Sequence, residues 1–181
     1  DVVAIKEETG LPVIGLIKIQ YEGYDAYITP TMKEVDELVE AGADIVALDC
    51  TIRKRGDGTT INEFIAQIKE KYSDLMLMAD VSNYEEGVNA WKCGVDIVGT
   101  TMSGYTPYTE AKDGPDYELM SHLAADLDIP VIGEGKIHSP EEAVKALSTG
   151  VWAIVVGGAI TRPLEIAQRF MNAIAKAKGE A

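Results

Sequence analysis

The chain has 181 residues, with 16 Lys+Arg against 30 Asp+Glu and a formal net charge of −14. That length and a hydrophobic content of 46% suit a single domain over residues 1–181 with a sizeable core. No apolar run reaches the roughly 18 residues of a membrane span, Asp1 opens a polar helical stretch rather than a secretory signal, and a chain this acidic repels a phosphate backbone at long range.

The composition therefore predicts a cytoplasmic protein without membrane or nucleic-acid partners, in which any anionic ligand is captured by local geometry. Two cysteines, Cys50 and Cys93, make no disulfide framework and fit a reducing compartment. They are predicted to lie at opposite ends of strands, out of reach of one another.

One pattern recurs along the chain. Asp1–Gly10 reads as a helix, and strands are predicted over Val13–Lys18, Asp44–Asp49, Leu75–Asp80, Val95–Thr100, Val131–Glu134 and Trp152–Gly157. Each strand is followed by a longer amphipathic stretch, and the last of these is a helix over Pro163–Lys178. The strands are mostly apolar rather than alternating, as in a parallel sheet covered on both faces.

Thr31 with Glu34, Thr60 with Glu63, Ser82 with Glu85 and Ser139 with Glu142 have capping-box spacing. Pro140 holds the favoured first helical position. Gly42, Gly94 and Gly150 stand where a left-handed cap ends a helix just before a new strand. The phrases Ala-Gly-Ala-Asp-Ile-Val, Cys-Gly-Val-Asp-Ile-Val and Thr-Gly-Val-Trp-Ala-Ile-Val are three versions of one turn.

Repeated βα units build an open doubly wound sheet or a closed barrel. No Gly-x-Gly-x-x-Gly follows the first strand, as a dinucleotide-binding sheet requires. Polar residues instead end several strands: Lys18, Asp49, Asp80 and Glu134. Each shares a face with an apolar residue two positions back (Leu16, Ala47, Met78 and Ile132), so the set converges at one end of a (β/α)8 TIM barrel. With six βα units visible, the expectation is a barrel whose first two strands lie outside this sequence. A natural six-stranded α/β fold is the alternative.

Several residues could carry chemistry. Gly157-Gly158-Ala159-Ile160-Thr161-Arg162-Pro163 lets a backbone approach a ligand closely at a helix start, where amides attract an anion. Gly133-Glu134-Gly135-Lys136 ends the preceding strand and supplies the other half of a barrel phosphate site. Lys18, behind an apolar run, is a candidate base or amine nucleophile, or a lysine snorkelling from the strand end. A buried Glu134 could act as an acid, or pair with Lys136 or Arg162.

Other polar residues have more ordinary explanations. Asp49 and Asp80 could simply satisfy loop amides. Arg53-Lys54-Arg55 reads as a solvated loop that could guide a phosphate inward, and Tyr21, Tyr24 and Tyr27 as a lid or as rim packing. Cys50 reads as a packing residue, His122 as a surface one, and His138 as lying at the active end. No Cys/His spacing resembles a zinc site, so no metal is expected.

Six blocks in order carry a resemblance to a known family. They are Pro12-Val13-Ile14-Gly15-Leu16-Ile17-Lys18, Tyr27-Ile28-Thr29-Pro30-Thr31, Ala47-Leu48-Asp49-Cys50-Thr51, Gly99-Thr100-Thr101-Met102-Ser103-Gly104-Tyr105-Thr106, Gly133-Glu134-Gly135 and the Gly157–Pro163 block. The chain resembles the bacterial N-acetylmannosamine-6-phosphate 2-epimerases, cofactor-independent isomerases of amino sugar and sialic acid catabolism.

Residue by residue, the resemblance implies Lys18 as catalytic lysine, Glu134 as its carboxyl partner and Asp80 at the reacting end of the sugar. Gly135, Gly157, Gly158 and Arg162 would hold the phosphate. It also implies a phosphosugar substrate, no cofactor and a homodimer. Two departures fall in loops: Ile19-Gln20 stands where the family has Arg-Asp, and Gly56 where it has proline. The polar groups of the family's first two strands have no counterpart here. The competing readings are a Schiff-base aldolase using Lys18 and a non-catalytic phosphosugar-binding module.

Overall fold

The computed structural model describes residues 1–179. Six strands, β1 (Ile14–Gly15), β2 (Ile45–Asp49), β3 (Met76–Asp80), β4 (Ile97–Gly99), β5 (Val131–Glu134) and β6 (Ala153–Val155), lie side by side in chain order. All are parallel. The helices are α1 (Val2–Thr9), α2 (Met32–Glu40), α3 (Ile61–Lys71), α4 (Tyr84–Lys92), α5 (Tyr117–Asp126), α6 (Pro140–Leu147), α7 (Gly158–Thr161) and α8 (Pro163–Lys178). When spatial order equals chain order, right-handed crossovers put every connecting helix on one face. A doubly wound sheet reverses its strand order instead, so these six βα units have the barrel arrangement, with one unpaired edge on β1 and one on β6.

Strand alternation then produces two apolar layers. Val46, Leu48, Leu77, Ala79, Val98 and Val131 join Phe64, Ile65, Ile68, Leu119 and Leu123 in the core between sheet and helices. On the inner face Ile45, Ala47, Met78, Ile97 and Ile132 cluster, with Ala153 and Val155 packed against them. Each large apolar side chain in these layers contributes about 1.5–3 kcal/mol on full burial, which is why the strands read as apolar throughout.

The recurring turn has a specific role. Asp44 N donates to Val13 O at 3.0 Å while its Oδ2 accepts from Val13 N at 2.8 Å. Asp96 and Leu77 make the same exchange at 2.9 and 2.8 Å, and Lys6 and Lys69 pair with the two carboxylates. Trp152 takes the place of aspartate in the third version and keeps only the main-chain half, to Val131 O at 2.8 Å. Gly42, Gly94 and Gly150 have the left-handed backbone this turn requires, at φ 78, 87 and 98°.

Three of the four predicted capping boxes form, at Thr31, Thr60 and Ser139. The fourth is displaced by one residue: Asn83 caps α4, and Glu86, not Glu85, reaches back to Ser82 N and Oγ, both at 2.7 Å.

The first strand is much shorter than predicted. β1 stops at Gly15, because the segment beyond it folds back on residues 27–29. Ile17 O accepts from Thr29 N at 2.7 Å and Ile19 N donates to Tyr27 O at 3.0 Å, so groups that could have continued the parallel ladder are taken locally. Helix α8 matches its predicted bounds, but Leu164, Phe170, Met171 and Ile174 on it are exposed.

Candidate active site at the carboxyl ends of the strands

Above the inner apolar layer sits a polar crown. Asp49 and Asp80 are Cα partners at the ends of β2 and β3, Glu134 ends β5, and Thr101 lies two residues past Gly99, on the same face of β4 by strand parity. Gly99 leaves room there for the Met78 methyl, and a Cβ would also stand 3.2 Å from Thr101 Oγ1.

Lys18 reaches this crown from outside the sheet, in the antiparallel bridge with Ile28. The bridge is held at a strained point: buried Thr29, β-branched and followed by proline, has φ 45°. Its Oγ1 accepts from Ile17 N at 3.3 Å, next to Lys18.

A cleft of about 350 Å³ brings most of the predicted residues together. Lys18, Glu134, Gly135, Gly157, Gly158 and Arg162 all line it, together with Thr101. That volume suits a small ligand of sugar-phosphate size. Among the described residues Lys18 makes no ion pair, and Glu134 pairs with neither Lys136 nor Arg162. Amine and carboxyl flank the cleft rather than close on each other.

In a smaller cleft between α4 and α5 the half-buried acid is already engaged, since Asp116 accepts from both Ser103 and Lys112 at 2.6 Å.

Asp80 is fully buried. Oδ1 accepts from Thr101 Oγ1 at 2.6 Å, whereas Oδ2 has no partner. Burial, reinforced by the nearby Glu134 charge, pushes its pKa up from 3.8 to about 8, so near neutrality the orphaned oxygen carries a proton and is a donor in waiting. Burial also raises Glu134, opposed by the Thr101 hydroxyl and the Lys18 charge. Removing the hydroxyl in Thr101→Val leaves a second Asp80 oxygen unsatisfied, at a cost of about 1–3 kcal/mol. It is expected to lower the melting temperature and to raise the Asp80 pKa further, readable by calorimetry and by the pH profile of turnover.

Asp49 is already occupied. It accepts from Tyr27 N at 3.1 Å and Thr51 Oγ1 at 2.6 Å and pairs with Arg53, so it braces the rim rather than facing a ligand. Arg53 in turn stacks over Tyr27, 4.9 Å from the ring centroid, and Tyr27 lines the cleft.

The expectation of a solvated Arg53-Lys54-Arg55 loop fails at two of the three positions. Arg53 is paired as above, and Arg55 is buried over the Phe64 ring at 4.0 Å, donating to Pro30 O. Gly56 leaves room for the Tyr24 ring, which any side chain there would strike. Tyr24 packs edge-on against Tyr21 at 5.9 Å, and Tyr21 is tied to Glu34 at 2.7 Å; only Tyr27 of the three tyrosines reaches the cleft. Burial pushes the Cys50 thiol well up, consistent with packing; both cysteines are free.

The predicted phosphate end is built differently from a single helix start. Gly157 precedes the one-turn α7, and Arg162 stands between α7 and α8, paired with Glu165 at 2.7 Å. Gly135 adopts φ 104° and Lys136 φ 59°. That turn sends the Lys136 ammonium over the Tyr105 ring at 4.8 Å, beside the same cleft. His138 also lines this end, while His122 is exposed on α5. Thr101 and Tyr105 have no role assigned by the sequence alone; for Thr101, counting two residues beyond Gly99 would have found it. Among the described residues no His/Cys/Asp/Glu group is arranged to hold a metal, and no helix is long and apolar enough to cross a membrane.

Comparisons with known proteins bear on the family and the fold. Residues 1–176 match the family model described as "Putative N-acetylmannosamine-6-phosphate epimerase". A relative named "Putative N-acetylmannosamine-6-phosphate 2-epimerase" from Caldanaerobacter subterraneus subsp. tengcongensis is 58% identical over 96% of this chain and 73% of its own; one of the same name from Clostridioides difficile is 52% identical over 96% and 77%. The solved N-acetylmannosamine-6-phosphate 2-epimerase of Clostridium perfringens superposes with a TM-score of 0.89 at 48% identity, covering 96% of this chain and 75% of that one. With this match along nearly its whole length, the chain belongs to the N-acetylmannosamine-6-phosphate epimerase family.

Proposed function

We propose that the chain is an isomerase that inverts C2 of N-acetylmannosamine 6-phosphate to give N-acetylglucosamine 6-phosphate, in amino sugar catabolism. The observation that carries this reading is one cleft lined by Lys18, Glu134 and the Gly157–Arg162 loop together, beside a buried Asp80 with an unpartnered oxygen.

In the open-chain sugar the C2 hydrogen lies alpha to the C1 aldehyde. Lys18, as the amine, takes that proton, and the electron pair moves into the C1 oxygen. Asp80, protonated near neutrality, donates to the developing oxyanion through its free oxygen, with Glu134 beside it. Thr101 keeps Asp80 oriented by holding the other oxygen. Return of a proton to the opposite face of C2 inverts the centre. The phosphate end supplies binding energy remote from C2 and keeps the sugar in register through both half-reactions.

Solvent deuterium should enter C2 of N-acetylmannosamine 6-phosphate in heavy water, with conversion to the second epimer. Substrate that binds without exchange would leave a sensing role, and covalent trapping at Lys18 by borohydride would replace the proton-transfer scheme with Schiff-base chemistry.

A further inference from the structure

The phosphate end of the cleft contains a negative charge. Glu165, in the first turn of α8, lines the same cleft as Gly157, Gly158 and Arg162. Its Oε1 accepts from Arg162 Nη1 at 2.7 Å. Its Oε2 lies beside Gly158, where a Cβ would stand 3.0 Å from it. The carboxylate is therefore bonded to the guanidinium and stands next to the glycine that the phosphosugar reading assigns to one phosphoryl group. An acidic residue in a first helical turn is favoured by the helix dipole wherever its side chain points. That accounts for the residue type but not for its placement across Arg162 and Gly158.

We propose that Glu165 is a built-in competitor for the phosphoryl group, a specificity-determining residue that holds Arg162 until a dianion displaces it. The proposal rests on the phosphosugar reading of the cleft. Exchanging one monoanion for another at Arg162 gains little, so ordinary carboxylates are poorly accepted. A phosphate monoester brings close to two charges and three acceptor oxygens and can satisfy Arg162 and the neighbouring glycine amides together. The cleft thereby selects dianions, at the cost of a weaker grip. A weaker grip has a use, because phosphate affinity common to substrate, product and transition state lowers KM without raising kcat.

The test is calorimetric titration of the folded protein with inorganic phosphate. Glu165→Gln is expected to tighten binding by about two- to fivefold, the range of a partly exposed ion pair. Glu70→Gln, which removes the same charge from the exposed part of α3, should leave affinity unchanged and so separates a local competitor from the general acidity of the chain. The wild-type preference for phosphate at about pH 8 over about pH 5, where it is mostly monoanionic, should narrow in Glu165→Gln. Unchanged or weaker affinity in Glu165→Gln, or an equal gain in Glu70→Gln, overturns the role of Glu165 alone. Failure of the wild-type protein to bind phosphate at all removes the phosphate end itself, and the proposal falls with it.

Discussion

Replacing Lys18 by alanine is expected to slow C2 proton exchange by about 10³-fold, within the range for loss of a positioned general base. Lys18→Arg should lose nearly as much, because a guanidinium stays protonated and cannot accept the proton. The fold should tolerate both changes. Lys18 makes no ion pair among the described residues, so its removal is expected to shift stability by no more than about 0.5 kcal/mol, and inorganic phosphate should still bind at the other end of the cleft. Exchange rates, melting temperature and phosphate titration on the same samples check the three statements together. Retention of exchange in Lys18→Ala would move the base elsewhere.

The second large effect concerns Asp80 and has a definite sign. Its carboxyl titrates near the ordinary 3.8 when unfolded and at about 8 in the fold. Between about pH 4 and about pH 8 the unfolded chain has therefore released a proton that the folded chain still holds. The unfolded state binds fewer protons, so this group makes stability fall as pH rises through that window. Each tenfold difference in proton affinity between the two states is worth about 1.4 kcal/mol, and the penalty near pH 8 amounts to several kcal/mol.

Asp80→Asn removes the titration while keeping an acceptor for Thr101. It is expected to be more stable than the parent at pH 8, about equal to it near pH 4, and severely impaired in turnover at both. Denaturant unfolding across pH separates these outcomes from a simple packing defect, which would destabilise at every pH. A mutant that gains stability as it loses chemistry is what a desolvated carboxyl with the proposed catalytic role should give.

Much of this is legible in the sequence because the relevant physics is local. A glycine followed two residues later by aspartate makes the turn that stitches Asp44 to Val13 and Asp96 to Leu77, and the repeat exposes the βα rhythm. Period-two counting places Asp80 and Glu134 over the inner layer. Three features escape for one common reason: they depend on how a loop folds, which residue type and spacing do not announce. The sequence overextends β1 because nothing in Leu16-Ile17-Lys18 announces that residues 27–29 will take its hydrogen bonds. Arg53 and Arg55 read as solvated because Asp49 and Phe64, their partners, sit on neighbouring elements. Glu165 draws no reading from the sequence, and its place beside Gly158 and Arg162 emerges only in the fold. Ser82 and Glu85 fail more simply: Asn83 beside Ser82 is an equally good cap, and with it the helix starts one residue later.

The most direct measurement is a crystal structure of the protein with N-acetylglucosamine 6-phosphate bound. The account predicts the phosphoryl group against Gly157, Gly158 and Arg162, with Glu165 turned away. It also predicts Lys18 Nζ within about 3.5 Å of C2, and Asp80 Oδ2 within hydrogen-bond reach of the C1 oxygen. A sugar seated with its phosphate at the Lys18 end, or with C2 out of reach of the amine, would contradict it.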